Sequence, residues 1–200
     1  MCGIAGFTSL PDQNIEVQVN AVRRMTRRMT SRGPDAEGLW TAADVVLGHR
    51  RLAILDLDPR ANQPMLSPDG RYCVVFNGEI YNFRELRSEL ETQGEIFRTT
   101  SDTEVLLSLY ARLGERMLPR LRGMFAFAVW DSRSRELFLA RDAYGIKPLY
   151  YARTNRGLIF ASQVKAVLAS GLIDAEIEPA GLAGFYLWGN IPEPWTLYRV

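Results

Sequence analysis

The residue of this sequence best placed to do chemistry is Cys2, which directly follows the initiator methionine. Removal of Met1 would make Cys2 the N-terminus, with a thiol and a free α-amine on one residue. An α-amine has an unperturbed pKa of roughly 7.7–8.0, so it can take the thiol proton, and one residue then supplies both nucleophile and base. Gly3 would let the processed end pack closely against its surroundings. The alternative is that Cys2 is a frayed terminal thiol or a small buried apolar residue.

A second feature with chemical potential is the pair Asn77-Gly78, which follows a predicted strand from Tyr72 to Phe76. The Asn77 side-chain amide and the Gly78 N–H could point at the same oxygen. Two such donors are what an oxyanion hole requires. The alternative is that Asn-Gly at a strand end forms only a tight turn.

Two charged residues could bind the ends of an amino-acid substrate. Arg51 lies in a run rich in leucine and β-branched residues, where a guanidinium is expensive to bury unless it meets a carboxylate. Asp102 lies at the start of a predicted helix, where Ser101 and Glu104 fit a capping box. Its carboxylate either complements the helix dipole or holds a substrate ammonium.

The remaining polar candidates are better explained by structure than by chemistry. His49 stands beside two arginines with no second histidine, which is typical of a hydrogen-bonded packing residue. Cys73 lies in the middle of an apolar strand, so a core position is expected. Arginines 23, 24, 27 and 28 favour a solvated helix face over an anion-binding surface. One histidine and two distant cysteines also lack the ligand spacing of a zinc site, so we predict no metal.

Composition excludes several classes of partner. The chain has 200 residues, and 24 Lys+Arg against 23 Asp+Glu give a formal charge of +1, which offers no electrostatic basis for binding nucleic acid or an acidic membrane surface. No run of about 18 apolar residues is present, as a membrane span would need. We therefore expect one large soluble domain in the cytoplasm, a reducing compartment.

Hydrophobic periodicity predicts an α+β architecture. Strands are predicted at 4–8, 38–42, 45–55, 72–76, 96–97, 123–130, 136–141, 149–153 and 158–161, and helices at 15–29, 83–93, 102–113, 164–168 and 181–187. A turn is predicted at 9–12 and loops at 31–35 and 142–148. The strands follow one another as hairpins without strand-helix-strand alternation, which favours two packed, mainly antiparallel sheets flanked by helices.

Taken together and in order, these motifs resemble the glutaminase domain of asparagine synthetases, a class II glutamine amidotransferase of the N-terminal nucleophile hydrolase group. The motifs that carry the resemblance are Met1-Cys2-Gly3-Ile4, Arg32-Gly33-Pro34-Asp35, Gly48-His49-Arg50-Arg51-Leu52-Ala53-Ile54, Gln63-Pro64-Met65, Phe76-Asn77-Gly78-Glu79-Ile80-Tyr81-Asn82, Thr100-Ser101-Asp102-Thr103-Glu104, Gly123-Met124-Phe125-Ala126-Phe127, Arg141-Asp142 and Gly145-Ile146-Lys147-Pro148-Leu149-Tyr150-Tyr151. Each motif alone is weak, but the ordered set covers nearly the whole chain.

The resemblance implies a four-layer α-β-β-α sandwich with Cys2 at the end of a central strand. It also implies a role for each site residue, in the hydrolysis of L-glutamine to glutamate and ammonia through a cysteine thioester. The implied roles are Cys2 as nucleophile, Asn77 and Gly78 as oxyanion donors, Arg51 on the glutamine α-carboxylate, Asp102 with Glu79 on its α-ammonium, and the backbone of Leu52, Ala53, Ile54 and Leu55 in the pocket wall.

The resemblance further implies a domain at 1–187 and, at 188–200, the start of a linker to a C-terminal synthetase domain that lies outside this sequence. Ammonia would pass to that domain, which would use ATP and Mg²⁺ to convert aspartate to asparagine, while this domain needs no cofactor. A homodimer is compatible with this reading. The alternatives are an amidotransferase domain that serves a different acceptor and a non-catalytic glutamine-binding domain.

Two positions depart from the pattern of these domains. Ala53 stands where a serine is frequent, and Gln163 stands where glutamate is usual. The first change puts a pocket hydroxyl in doubt. The second would remove either a charge before the helix that carries Lys165 or an interdomain contact.

The assignment of the nucleophile makes a direct prediction. A glutamine-analogue electrophile should add its mass to Cys2 alone, because only that thiol is expected to face a substrate pocket. Peptide mapping by mass spectrometry would locate the adduct. Labelling of Cys73 with Cys2 left intact would refute the assignment.

Overall fold

Two antiparallel β-sheets face each other in the computed structural model, which describes residues 1–9 and 14–199. One sheet has five strands in the order β2-β3-β1-β9-β8, and the other has four in the order β4-β5-β6-β7. The turn predicted at 9–12 falls mostly outside the described residues. The strands are β1 (Gly3–Ser9), β2 (Ala36–Ala42), β3 (Val45–Arg51), β4 (Met65–Leu66), β5 (Tyr72–Ile80), β6 (Gly123–Asp131), β7 (Glu136–Arg141), β8 (Tyr150–Thr154) and β9 (Gly157–Ala161).

Five α-helices are described: α1 (Ile15–Arg28), α2 (Phe83–Thr92), α3 (Asp102–Leu113), α4 (Val164–Ala169) and α5 (Pro179–Trp188). Short 3₁₀ turns occupy Pro59–Ala61 and Gly114–Arg120. Local chemistry explains two of the helix starts, since Asn14 caps α1 by accepting from the Glu16 N–H at 2.9 Å and Ser101 caps α3 by accepting from the Glu104 N–H at 3.3 Å. Among the described helices, none is long and apolar enough to cross a membrane.

The core consists of three apolar layers, which define a four-layer α-β-β-α sandwich. The layer between the sheets contains Ile4, Leu47, Val75 and Phe160. A second layer lies between the five-stranded sheet and helices α1 and α4, and a third lies between the four-stranded sheet and helices α2 and α3. The predicted fold class is therefore confirmed.

The alternation of side chains along β1 and β5 brings the two chemical candidates together. Ile4 and Val75 point into the layer between the sheets, and side chains two residues apart in a strand lie on the same face. Cys2 precedes Ile4 by two residues, and Asn77 follows Val75 by two. Both side chains are thus directed towards the space between the sheets, at the same end of the sandwich.

Three predicted strands are absent or differ from the observed bounds by more than two residues. The strand predicted at 45–55 ends at Arg51, because the next backbone N–H groups, of Leu52 and Ala53, donate to the Cys2 sulfur and to the Asp35 carboxylate instead of to a ladder. The strand predicted at 96–97 does not form, and Ile96 is 84% exposed. The strand predicted at 72–76 continues to Ile80.

The continuation of β5 overturns the tight-turn alternative for Asn77-Gly78. Asn77 pairs with Ala126 of β6, and Gly78 pairs with Phe125. Nine residues of pairing with β6 outweigh the local turn preference of the Asn-Gly dipeptide. A side chain at position 78 would also put its Cβ 2.4 Å from the Met124 carbonyl oxygen, so only glycine allows the two strands to approach.

The layer between the sheets can be tested at Phe160, which is fully buried. Phe160→Ala should lower the free energy of unfolding by about 3–5 kcal/mol, because it leaves a cavity between the sheets. Tyr151 is paired with Phe160 in the ladder but is exposed, so Tyr151→Ala should cost less than about 1 kcal/mol. Urea unfolding of both variants would show the difference, and equal costs would contradict the layer assignment.

Candidate active site

A cavity of about 190 Å³ opens where β1, the segment after β3, β5 and the start of α3 meet. Its walls combine one thiol with charged and amide groups. The lining residues are Met1, Cys2, Arg51, Leu52, Ile54, Leu55, Asp56, Ala61, Gln63, Phe76, Asn77, Gly78, Glu79, Ser101, Asp102, Thr103, Met124 and Lys147.

Backbone hydrogen bonds fix the position of Cys2. The Leu52 N–H lies 3.4 Å from the Cys2 Sγ, and the Leu52 carbonyl oxygen lies 3.7 Å from it. The Arg32 Nε donates to the Cys2 carbonyl oxygen at 2.8 Å. Ser162, which directly follows β9, also holds the start of β1. Its Oγ accepts from the Ile4 N–H at 3.0 Å, and its own N–H donates to the Ile4 carbonyl.

The surroundings of Cys2 do not make it a thiolate unaided. Burial raises the pKa of the Cys2 thiol, while the Leu52 N–H, the terminal amino charge and the Arg51 guanidinium oppose that rise. A base beside the sulfur is therefore needed. Met1 is 56% exposed, and its removal would free the Cys2 amine.

The Asn77 side chain is the least satisfied polar group of the cavity. It is 1% exposed, and its Nδ2 has no hydrogen-bond partner among the described residues. A buried donor without an acceptor costs about 1–3 kcal/mol. The unpaired amide thus belongs to a residue that lines the same cavity as Cys2.

Two buried side chains hold β5 in place beneath Asn77. Gln63 Oε1 accepts from the Phe76 N–H at 2.6 Å, and its Nε2 donates to Thr103 Oγ1 at 3.1 Å, which ties β5 to α3. His49 Nε2 lies 3.1 Å from the Phe76 carbonyl oxygen. Burial lowers the pKa of His49 to about 3, so the ring is neutral and structural, as predicted.

Arg51 is buried, and its guanidinium is held by neutral acceptors of the protein. Its terminal nitrogens donate to the Asp58 carbonyl at 3.2 Å, to Asn62 Oδ1 at 2.7 Å and to the Asp56 carbonyl. Within the described part of the chain, no carboxylate lies at ion-pair distance from it. Neutral acceptors orient the guanidinium and leave its charge uncompensated, which suits an incoming carboxylate.

Asp102 supplies negative charge at another part of the same cavity. It is the first residue of α3, and its Oδ2 accepts from the Ile80 N–H at 3.0 Å. Burial raises the pKa of Asp102 to about 6, and the nearby Glu79 carboxylate adds to that rise. An ammonium group placed between these two carboxylates would relieve both effects.

The structure brings together nine of the ten residues that the sequence singled out for the site. Ala53 is the exception, because it does not line the cavity and its N–H donates to Asp35 Oδ2 at 2.8 Å. Residues that sequence reasoning missed include Asp56, Thr103 and Lys147. Asp56 accepts from the Thr100 N–H at 2.8 Å, and no local pattern in the sequence indicates that long-range contact.

Lys147 reaches the cavity through a loop that a motif did mark. The Asp142 carboxylate accepts from the N–H groups of Phe125, Ile146 and Lys147 at 3.1, 2.9 and 3.0 Å. These bonds wind the loop after β7 around one side chain and fix the backbone of Lys147.

Among residues 1–9 and 14–199, no three His, Cys, Asp or Glu side chains are grouped so that they could hold a metal ion.

With the geometry of the site established, comparison with known proteins identifies the class. The chain matches the family model of the glutamine amidotransferase domain over residues 1–200, and it therefore belongs to that family. Asparagine synthetase (glutamine-hydrolyzing) 1 of Bacillus subtilis is 41% identical over 98% of this chain and 31% of the relative. A putative asparagine synthetase of Mycobacterium tuberculosis H37Rv is 42% identical over 100% of this chain and 33% of the relative. The chain thus spans about a third of the length of these relatives.

Solved structures support the fold independently. The glutamine phosphoribosylpyrophosphate amidotransferase of B. subtilis superposes with a TM-score of 0.70 at 24% identity, over 90% of this chain and 46% of that one. At this identity the likeness speaks for the fold alone. It agrees with the predicted fold class of two stacked antiparallel sheets flanked by helices.

The expectation that Asp102 holds the substrate ammonium predicts a pH dependence. Below about pH 6 the free carboxylate becomes protonated and can no longer hold an ammonium, so kcat/KM for glutamine should fall with an apparent pKa near 6. Asp102→Asn should lower kcat/KM at pH 7.5 by about 10–100-fold and remove that acidic limb. The exposed Glu91→Gln on α2 is the control. A limb near pH 6 that persists in Asp102→Asn would contradict the role.

Proposed function

We propose that this chain hydrolyses L-glutamine to glutamate and ammonia through a thioester on Cys2. The observation that supports it most is the buried Asn77 Nδ2, without a partner in the described structure, in the same cavity as the Cys2 sulfur. A nucleophile and a waiting oxyanion donor are the minimum that amide hydrolysis needs. Membership of the glutamine amidotransferase family supplies the substrate.

In the proposed reaction, the α-amine of the processed Cys2 accepts the thiol proton, directly or through a water. The sulfur then attacks the side-chain amide carbon of glutamine, and the carbonyl oxygen becomes an oxyanion that Asn77 Nδ2 and the Gly78 N–H stabilise. Collapse of this intermediate transfers a proton to the leaving nitrogen and releases ammonia. Water attacks the resulting thioester through a second oxyanion and releases glutamate, which regenerates the thiol.

The charges of the cavity would orient the substrate. Arg51 would bind the α-carboxylate, and Asp102 with Glu79 would bind the α-ammonium. The segment Leu52 to Leu55 would form the wall beside the sulfur, which Leu52 already contacts. Holding both ends of the substrate places the amide carbon against the sulfur and lowers the entropic barrier to attack.

For the whole protein, we propose that the ammonia is used to make asparagine from aspartate. The support is that relatives named asparagine synthetase match 98–100% of this chain. On this proposal residues 1–187 form the glutaminase domain, and 188–200 begin a linker to a synthetase domain. ATP and Mg²⁺ would act in that further domain, and no residue of this chain is assigned to them. Cys2 and Cys73 are both free thiols, which suits a cytoplasmic location.

One comparison favours keeping a different ammonia acceptor as the alternative. A relative from Gibberella zeae, 37% identical over 86% of this chain, is named an amidase. The cavity described here would serve either acceptor equally, because the acceptor does not enter it. Retention of Met1 would instead favour a non-catalytic glutamine-binding domain, since the base would be lost. The intact mass of the purified protein shows whether Met1 is retained, and so distinguishes an active enzyme from such a binding domain.

The proposed chemistry predicts different effects for three substitutions. Cys2→Ala should abolish glutamate release, whereas Cys73→Ala should leave kcat within about twofold, because Cys73 is buried away from the cavity. Asn77→Ala should lower kcat by about 10²–10³-fold, with a smaller change in KM, since the amide acts mainly on the oxyanion. Glutamate release measured across glutamine concentrations tests all three.

The controls separate chemistry from folding. Iodoacetamide should still alkylate Cys2 in Asn77→Ala at a rate close to the parent's, which shows that the nucleophile is intact. A decrease in kcat of less than about threefold in Asn77→Ala would contradict the oxyanion role.

A further inference from the structure

Arg32 connects the nucleophile to a second cavity of about 330 Å³, which the proposed reaction does not use. On one side, the Arg32 Nε donates to the Cys2 carbonyl oxygen at 2.8 Å. On the other, the residue lines this cavity together with Tyr150, Ser162, Gln163 and Lys165. One side chain therefore contacts the Cys2 backbone and also lines the second cavity.

The cavity carries positive charge that the protein does not neutralise. Arg32 and Lys165 both line it, and neither has a carboxylate at ion-pair distance in the part of the chain that the structure describes. Partial burial lowers the pKa of Arg32, yet a guanidinium stays protonated at neutral pH. The Arg32 Nε is engaged with Cys2, and its Nη2 makes only a weak contact with the Met1 sulfur at 4.0 Å, which removal of Met1 would abolish. The terminal nitrogens can then bind an anion in the forked geometry that suits oxyanions.

Gln163 adds a requirement for a hydrogen-bond donor. Its Oε1 is buried and has no partner among the described residues. Leaving a buried acceptor unpaired is costly, so an occupant that carries an O–H group beside its charge would satisfy it. Phosphate at neutral pH has such a group, whereas sulfate has none.

We propose that this cavity binds a small oxyanion that also carries an O–H donor, of the phosphate class. The anionic oxygens would contact Arg32 and Lys165, and the O–H would donate to Gln163 Oε1. Binding there places negative charge next to Arg32, whose own positive charge favours a thiolate on the adjacent Cys2. Occupancy therefore slows the reactions of Cys2, and the cavity is an inhibitory site coupled to the nucleophile through one residue.

Binding can be measured with inorganic phosphate on the purified protein in its natural full length, by titration calorimetry at constant ionic strength. We expect saturable binding that is at least about tenfold tighter for phosphate than for sulfate. Lys165→Met should weaken phosphate binding by about tenfold, the loss of one charge-assisted contact. Gln163→Glu should abolish it, because the new carboxylate pairs with Arg32 and repels the anion.

Two matched variants serve as controls for binding. Lys165→Arg keeps the charge and should bind phosphate within about threefold of the parent. Arg27→Met removes a cation from an exposed position on α1, outside the cavity, and should not change the affinity. Equal affinities in all variants, or equal affinities for phosphate and sulfate, would overturn the proposal.

The coupling between the cavity and Cys2 is measured as the rate at which the Cys2 thiol is alkylated, which does not depend on glutamine turnover. Saturating phosphate should slow the alkylation of Cys2 by iodoacetamide at pH 7.5 by about three- to tenfold, and peptide mapping would confirm the labelled residue. Gln163→Glu should react slowly with and without phosphate, and Lys165→Met should respond only at higher phosphate concentration. An alkylation rate that does not change while phosphate is bound would refute the link, even if glutamine hydrolysis by Cys2 were established.

Discussion

The site depends on the packing of β1 against β5 across the space between the two sheets. Because side chains alternate along a strand, the apolar contacts of Ile4 and Val75 decide where Cys2 and Asn77 must point. A slip of one residue in either strand would turn a reacting group towards the helices. The same contacts that stabilise the core therefore determine which strand face carries Cys2 and Asn77. The hydrogen bonds of Ser162 to β1 hold that strand in place.

The cavity brings together several groups that are costly to bury. Asn77 Nδ2 lacks a partner among the described residues, Arg51 is buried without a counter-ion there, and the carboxylate of Asp102 is buried beside that of Glu79. Each feature alone reduces stability, and each is what a zwitterionic substrate with an amide side chain would relieve. The apolar core layers on either side contribute the stability that offsets the cost of burying these polar groups.

Much of the fold and most of the candidate site could be predicted from the sequence, because hydrophobic periodicity and short motifs are local patterns. Period-two and period-3.6 patterns located most strands and helices, and the ordered motifs indicated the family and nine cavity residues. Asn77-Gly78 shows the limit, since its dipeptide chemistry favours a turn, whereas pairing with β6 extends the strand. Asp56 enters the cavity through a long-range contact for which no short pattern exists. Lys147 lies in a marked motif, but its place in the cavity depends on how the loop folds around Asp142.

Gln63 has a consequence for selectivity. Its amide spans from the backbone of β5 to Thr103 at the start of α3, so the strand that carries Asn77 and the helix that begins with Asp102 cannot move apart independently. On the roles proposed for Asn77 and Asp102, these bonds fix the distance between the oxyanion donor and the ammonium site. On those proposed roles, an amino acid one methylene shorter than glutamine would reach either end of that interval but not both, so the domain would select its substrate by length as well as by charge.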